Sequence, residues 1–108
     1  VDHRPRFVRP TLAVSGYRGV TTREAFAAHG FSAHLQLTSF HNEWLAGVVD
    51  VGEFPFRDGF TPPPAILEAA LSWASARWPA GSLLVSCAAG QSRSVSLAIG
   101  LLVRVEGA

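Results

Sequence analysis

The 108-residue chain predicts an α/β fold, a small central and mainly parallel sheet flanked by helices, with C-terminal helices missing from the end of the domain. Three observations predict it. Strand-like and helix-like segments alternate along the chain, the pattern of a parallel sheet with crossover helices. The run "SLLVS", with Leu83, Leu84 and Val85 at its centre, is short and apolar without alternation, as expected of a central strand covered on both faces. The last helical segment, "SVSLAIGLLVRV", is apolar on nearly every side, which predicts a helix buried all round.

The elements follow in order. "RFVRPTLAVSG" predicts two short strands broken at Pro10, the second from Leu12 to Val14. "TTRE" is a capping-box pattern in which Thr21 is the N-cap and Glu24 reaches back to it. The helix it opens runs to about His29, and Gly30 supplies the stop. "FSAHLQL" alternates apolar and polar residues, as a strand does. "TSFHNEW" is a loop or a helical turn, and "GVVDVGEFPF" is a further strand interrupted near Gly52. "RDGFTPPP" is a loop, because Asp-Gly and three prolines forbid regular structure.

Thr61 is placed to cap the next helix, and a proline in the first turn is tolerated. Ile66, Leu67, Ala70, Leu71, Ala74 and Trp78 recur at helical spacing and form one apolar face; Pro79 and Gly81 end the helix. After the central strand, "SVSLAIGLLVRV" is long enough for about three turns. Its apolar surround needs cover that the chain up to Ala108 does not supply. The expectation is one domain, 1–108, incomplete at its C-terminus or covered by another chain. The absence of Met, even at position 1, predicts a chain that is processed, trimmed or part of a longer protein.

Composition narrows the function. At 48% hydrophobic and 16% charged the chain is globular in character. Net charge is +1, and all nine basic residues are Arg, scattered without a run. This points away from nucleic acid and membrane surfaces as partners. One cysteine forms no internal disulfide, and a free thiol fits a reducing compartment, so the expected location is the cytoplasm. No signal peptide and no apolar run long enough to span a bilayer is present. His29, His34 and His41 are five and seven residues apart, match no metal-pair spacing, and are expected to be structural or surface residues. No metal and no cofactor is called for.

That one cysteine carries the functional signal. Cys87 stands at the carboxyl end of the predicted central strand, and Arg93 follows six residues later where a helix begins. In open α/β sheets this strand-to-helix crevice is where ligands bind. Ala88, Ala89, Gly90, Gln91 and Ser92 between them are small or flexible enough to turn backbone N–H groups inward. A loop of this kind at a helix N-terminus suits an anion, and the Arg93 fork suits two phosphate oxygens. The same field lowers a thiol's pKa by roughly one to five units. An ionised Cys87 beneath a phosphorus atom is arranged for nucleophilic displacement. The competing reading, an inert core cysteine, leaves the Gly at +3, Arg at +6 and Ser at +7 unexplained.

"CAAGQSRS" resembles the C-x-x-G-x-x-R-[ST] signature of the cysteine-dependent protein tyrosine phosphatases, and the small dual-specificity phosphatase group is the most similar. "LAVSG", "HGFSAHLQL", "FPFRDG" and the helix after "TPPP" follow that group's order, so the resemblance covers most of the chain. It implies that the fold is phosphatase-like and that Cys87 is the nucleophile. It implies that Arg93 binds the phosphoryl group and the backbone of residues 88–93 cradles its oxygens. It also implies that Ser94 hydrogen-bonds the sulfur and helps it leave in the second step. The group usually has His before the cysteine; this chain has Ser86, which carries no charge, so weaker thiolate formation and lower activity are expected.

Phosphoester cleavage also needs a proton for the leaving oxygen. Asp58, in the loop "FRDGFTPPP", is the candidate general acid at a spacing similar to the group's acid; Asp50, inside "VVDV", is the weaker candidate. Arg18, Arg57 and Gln91 are possible rim residues, and Trp44, Trp73 and Trp78 are expected in the core or on helix faces. A loop without basic residues points to a phosphorylated protein or peptide rather than a polyanionic lipid headgroup. Three other readings stay open: a phosphatase on a rhodanese-like scaffold; a low-molecular-weight phosphatase or arsenate reductase, which shares the spacing but carries its loop after the first strand and not the last; and a catalytically weak phospho-residue binding module, kept alive by Ser86.

Overall fold

The computed structural model describes residues 4–16, 23–38, 50–56, 63–88 and 93–107. Within them run strands β1 (Arg6–Arg9) and β2 (Leu12–Gly16), helix α1 (Arg23–His29), strands β3 (Ala33–Gln36) and β4 (Asp50–Glu53), helix α2 (Pro64–Ser75), strand β5 (Leu83–Cys87) and helix α3 (Arg93–Glu106). The five strands form one sheet in the order β1-β2-β5-β3-β4. β5 is parallel to both β2 and β3, and β4 is parallel to β3. Only β1 is antiparallel: Pro10 and Thr11 join it to β2, too few residues for a crossover. The mainly parallel α/β sheet expected from the sequence is what forms.

Successive side chains of a strand point to opposite faces. On one face Leu83, Val85 and Cys87 of β5 join Leu12, Leu35, Ala74, Leu97 and Leu101 in the larger core, beneath α2 and α3. On the other face Leu84 packs with Ala13, Phe26 of α1 and Phe31. Leu83, Leu84 and Val85 are therefore fully buried, at roughly 1.5–3 kcal/mol of stabilisation per side chain. The central strand is unbroken from Leu83 to Cys87, and it delivers Cys87 to the carboxyl edge of the sheet.

Local signals account for most boundaries. Gly30 ends α1 at φ 75°, where a Cβ would be strained, and its N–H closes on the Ala27 carbonyl at 3.0 Å. The N-cap of α2 is Pro63, with no side-chain cap, so the helix opens two residues later than Thr61 would place it. Thr21 and Thr61 lie outside the described residues. The same helix stops at Ser75, before Trp78, which sits in the following turn; there its indole N–H donates to Thr11 Oγ1 at 3.0 Å. Ala70, Ala74 and Trp78 are buried as the apolar face predicts, whereas Leu67 is exposed.

The polar residues His34 and Gln36 of β3 are nearly as buried as Leu35, and Phe26 of α1 lies against the His34 ring. Two expectations change. Gly52 does not interrupt a strand: it lies within β4, and Trp73 of α2 packs against its bare backbone. α3 has 14 residues, nearer four turns than three, and it is not buried all round. It buries Ser94, Leu97, Ala98 and Leu101, and exposes Ile99 and Val103.

Exposed ion pairs hold the helices to their surroundings. Arg9 grips both carboxylate oxygens of Glu106 at 3.0 and 2.7 Å, and Arg104 of α3 pairs with Glu68 of α2. Each partner draws its carboxyl below the ordinary Glu value through hydrogen bonding and charge. Among the described residues, no helix is long and apolar enough to cross a membrane.

Gly52 offers a direct check of the packing. A Cβ there would meet Trp73 Cε2 at 2.7 Å, inside contact distance of a ring that Phe54 and Arg77 also flank. Gly52→Ala is expected to destabilise the fold by about 1–3 kcal/mol in urea unfolding. Unchanged stability would mean that Trp73 does not pack on β4 as described.

Candidate active site

Strand β5 and helix α3 bring the two ends of the candidate loop together. Cys87 is 2% exposed, and its Sγ lies 3.3 Å from Oγ of Ser94, which is fully buried in the first turn of α3. A hydroxyl both donates and accepts, so it can take the thiol's proton in a hydrogen bond or donate to a thiolate. The sulfur thus sits beside the N-terminus of a four-turn helix, whose partial positive charge favours the ionised form.

Arg93, the first residue of α3, is half-buried and aimed across the sheet edge. Its Nη1 donates to the carbonyl of Phe56 at 2.6 Å and to that of Leu37 at 3.3 Å. Leu37 follows β3, and its N–H donates to the carbonyl of Ser86 at 2.9 Å. The residue before Cys87 and the arginine after the loop are therefore both held by Leu37. The Leu37 carbonyl also receives the N–H of Phe56 at 3.4 Å, so the chain leaving β4 is tied to the same point. A guanidinium carries five donors in a rigid fork, and here Nη1 is engaged on two carbonyls at the sheet edge.

Behind Cys87, on the α1 face, lies a buried polar row. Ser86 pairs in register with Ser15 of β2 and Gln36 of β3. Oγ of Ser86 is 2.8 Å from Nε2 of His34, and Nε2 of Gln36 is 3.5 Å from Nδ1 of His34. In either tautomer of the neutral ring, Nε2 of His34 and Oγ of Ser86 share one hydrogen bond. Burial pushes the His34 pKa down to about 4, so the imidazole is neutral near pH 7. Ser15 Oγ and Gln36 Oε1 are buried and have no hydrogen-bond partner among the described residues.

Sequence reasoning passed over His34 as structural or surface. The signal that could have found it is the parallel pairing of "AHLQ" with "LLVS": a His two positions before the register partner of Ser86 is a diagonal neighbour on the same face.

The other site residues divide plainly. Cys87, Ala88, Arg93 and Ser94 are described; Asp58, Ala89, Gly90, Gln91 and Ser92 lie outside the described residues, as do Arg18, His41, Trp44 and Arg57. Phe56, two residues before Asp58 in the sequence, accepts from Arg93 Nη1 through its carbonyl and is the last described residue before that stretch. Asp50 is removed as a candidate acid. It begins β4 in register with Ala33 and Leu83, the opposite end of the sheet from Cys87, and it is exposed beside Arg77 Nε at 3.5 Å. Trp73 and Trp78 are packing residues, as expected.

No protein-family model matches the chain, and no curated protein matches it in sequence. Solved structures do match. Human DUSP28 superposes with a TM-score of 0.81 at 25% identity, over 96% of this chain and 73% of that one. A mutant form of Tk-PTP gives a TM-score of 0.78 at 25% identity, over 97% and 74%. P. aeruginosa TpbA gives 0.79 at 20% identity, over 100% and 69%. The chain has the fold of the cysteine-dependent protein tyrosine phosphatases. Within that superfamily it is most similar to the dual-specificity group.

The buried imidazole gives stability a pH dependence. The folded state holds His34 at about 4 against an ordinary 6.5, so it resists a proton that the unfolded chain accepts. Its contribution is complete above the ordinary value and declines as pH falls toward the folded one, for a total of about 3 kcal/mol. His34→Leu is therefore expected to lose less stability than wild type between pH values of about 7 and about 4.5. Equal losses in urea unfolding at the two pH values would show that His34 is not buried neutral.

Proposed function

We propose that this chain is a phosphoprotein phosphatase that hydrolyses phosphotyrosine, and phosphoserine or phosphothreonine as well where the pocket is shallow, through a covalent phospho-cysteine. The observation that carries the reading is the convergence on one sheet edge of Cys87 Sγ, Ser94 Oγ 3.3 Å away, and an Arg93 fork anchored on two carbonyls. The fold neighbours, which are tyrosine and dual-specificity phosphatases, support it.

In this reading the Cys87 thiolate attacks phosphorus in line with the ester oxygen. A P–S bond forms, the P–O bond breaks, and the Asp58 carboxylic acid protonates the departing oxygen. The backbone N–H groups of residues 88–93 and the Nε/Nη2 edge of Arg93 hold the three equatorial oxygens, on which the charge of the transferring group is spread. In the second step water attacks phosphorus, the Asp58 carboxylate takes its proton, and the sulfur leaves as thiolate. The Ser94 hydroxyl donates to that sulfur as it departs. Neither Ser86 nor neutral His34 places a full charge behind the sulfur, so the helix N-terminus, the loop amides and Arg93 carry thiolate stabilisation.

Turnover of para-nitrophenyl phosphate by the wild type, lost by at least about a thousandfold in Cys87→Ser, is the expected result. Phosphopeptide binding should survive in that variant. No turnover in either protein, with tight phosphopeptide binding in both, would assign a phospho-residue binding module instead. Asp58→Asn should slow phosphotyrosine hydrolysis far more than hydrolysis of the activated aryl ester, whose leaving group needs little protonation. Equal slowing of the two substrates removes Asp58 from the acid's role.

A further inference from the structure

The geometry points to His34 as a positioning residue for the nucleophile, acting through Ser86 from the neighbouring strand. The inference rests on the phosphatase reading for its catalytic consequence, but its structural basis is separate. His34 Nε2 and Ser86 Oγ are 2.8 Å apart, and both residues are 2% exposed. Ser86 is the last residue before Cys87, and two bonds from different parts of β3 and its exit hold it: the imidazole on its hydroxyl and the Leu37 N–H on its carbonyl. Together they fix the peptide from which the Cys87 side chain projects on the opposite face of the sheet.

A histidine is a costly choice for packing alone. The ring lies against Phe26, with centroids 5.7 Å apart, on a face whose neighbours are Leu84, Ala13 and Phe31. An apolar side chain would fill this space without burying two ring nitrogens. One of those nitrogens has only the 3.5 Å approach of Gln36, at the limit of a hydrogen bond. The other makes the short bond to Ser86, so the well-formed interaction of this imidazole is the one next to the nucleophile.

The bond also orients a rotor. Whichever partner donates, the 2.8 Å bond fixes the Ser86 hydroxyl against the ring. Among the described side chains, the titratable groups of α1 and β4, Glu24, His29, Asp50 and Glu53, are all exposed. His34 therefore acts as a neutral hydrogen-bond partner that immobilises the strand end. Misplacement of a reacting group by a fraction of an ångström is enough to slow a displacement reaction markedly.

The chain holds one cysteine, so alkylation by iodoacetamide as a function of pH reads the Cys87 thiol without ambiguity. The variants are His34→Leu, Ser86→Ala, the double variant, and His34→Gln, which keeps an N–H donor at similar reach. His34→Leu and Ser86→Ala are each expected to raise the alkylation pKa by about one unit. Each should lower kcat on para-nitrophenyl phosphate about tenfold, with KM nearly unchanged. The double variant should be no worse than either single one, and His34→Gln should recover most of the loss. A Ser86→Ala protein that is folded by circular dichroism yet keeps the wild-type pKa overturns the role, as do losses that add in the double variant. Ser86→Ala and His34→Gln decide the matter alone if His34→Leu does not fold. Absent turnover in the wild type would sink the phosphatase reading only, since the alkylation arm still decides whether His34 sets the thiol.

Discussion

The arrangement depends on one residue's backbone. Leu37 leaves β3 with its N–H on the Ser86 carbonyl, and its own carbonyl receives Arg93 Nη1 and the Phe56 N–H. Four segments meet there: the exits of β3 and β4, the end of β5 and the start of α3. Backbone groups in a buried setting must be satisfied, and here the partners that satisfy them are the residues that flank the loop. Two of the bonds at Leu37 are backbone to backbone, and the third is from the Arg93 guanidinium, so the joint ties that side chain to the carboxyl edge of the sheet where β5 ends.

The sheet supports this joint by a change of chemistry along its length. At the amino ends of the parallel strands Leu12, Leu83 and Ala33 are fully apolar and buried. At the carboxyl ends the buried residues become Ser15, Ser86, Gln36, Thr38 and Cys87. Buried polar groups lower stability unless they are bonded, so a row of them at one edge marks where the fold trades cohesion for chemistry. The fully apolar Leu83–Val85 segment offsets that loss directly beneath it.

Much of this could be read in advance, for definable reasons. β5 was legible because a central parallel strand needs an unbroken apolar run, and Cys87 because Gly90, Arg93 and Ser94 recur at fixed spacing behind it. The stop at Gly30 was legible because a positive φ has few solutions. What failed was what depends on other elements. Gly52 looked like an interruption because its reason, the Trp73 ring, arrives from α2. The burial of both His34 and Gln36 was not legible, because alternation reports a strand's own period and not the helix laid over it. Asp50 looked like a possible acid because spacing along the chain does not say which end of a parallel strand it occupies. Asp58 and residues 89–92 are argued from the sequence and from their anchored neighbours, Phe56 and Arg93.

If the Leu37 joint holds Cys87 and Arg93 at the separation of a bound phosphoryl group, a crystal structure of the protein with tungstate shows the oxyanion seated over Cys87 Sγ, two of its oxygens on Nε and Nη2 of Arg93, and Nη1 still on the Leu37 and Phe56 carbonyls. An anion bound elsewhere, or an Arg93 that must leave those carbonyls to reach it, overturns that arrangement.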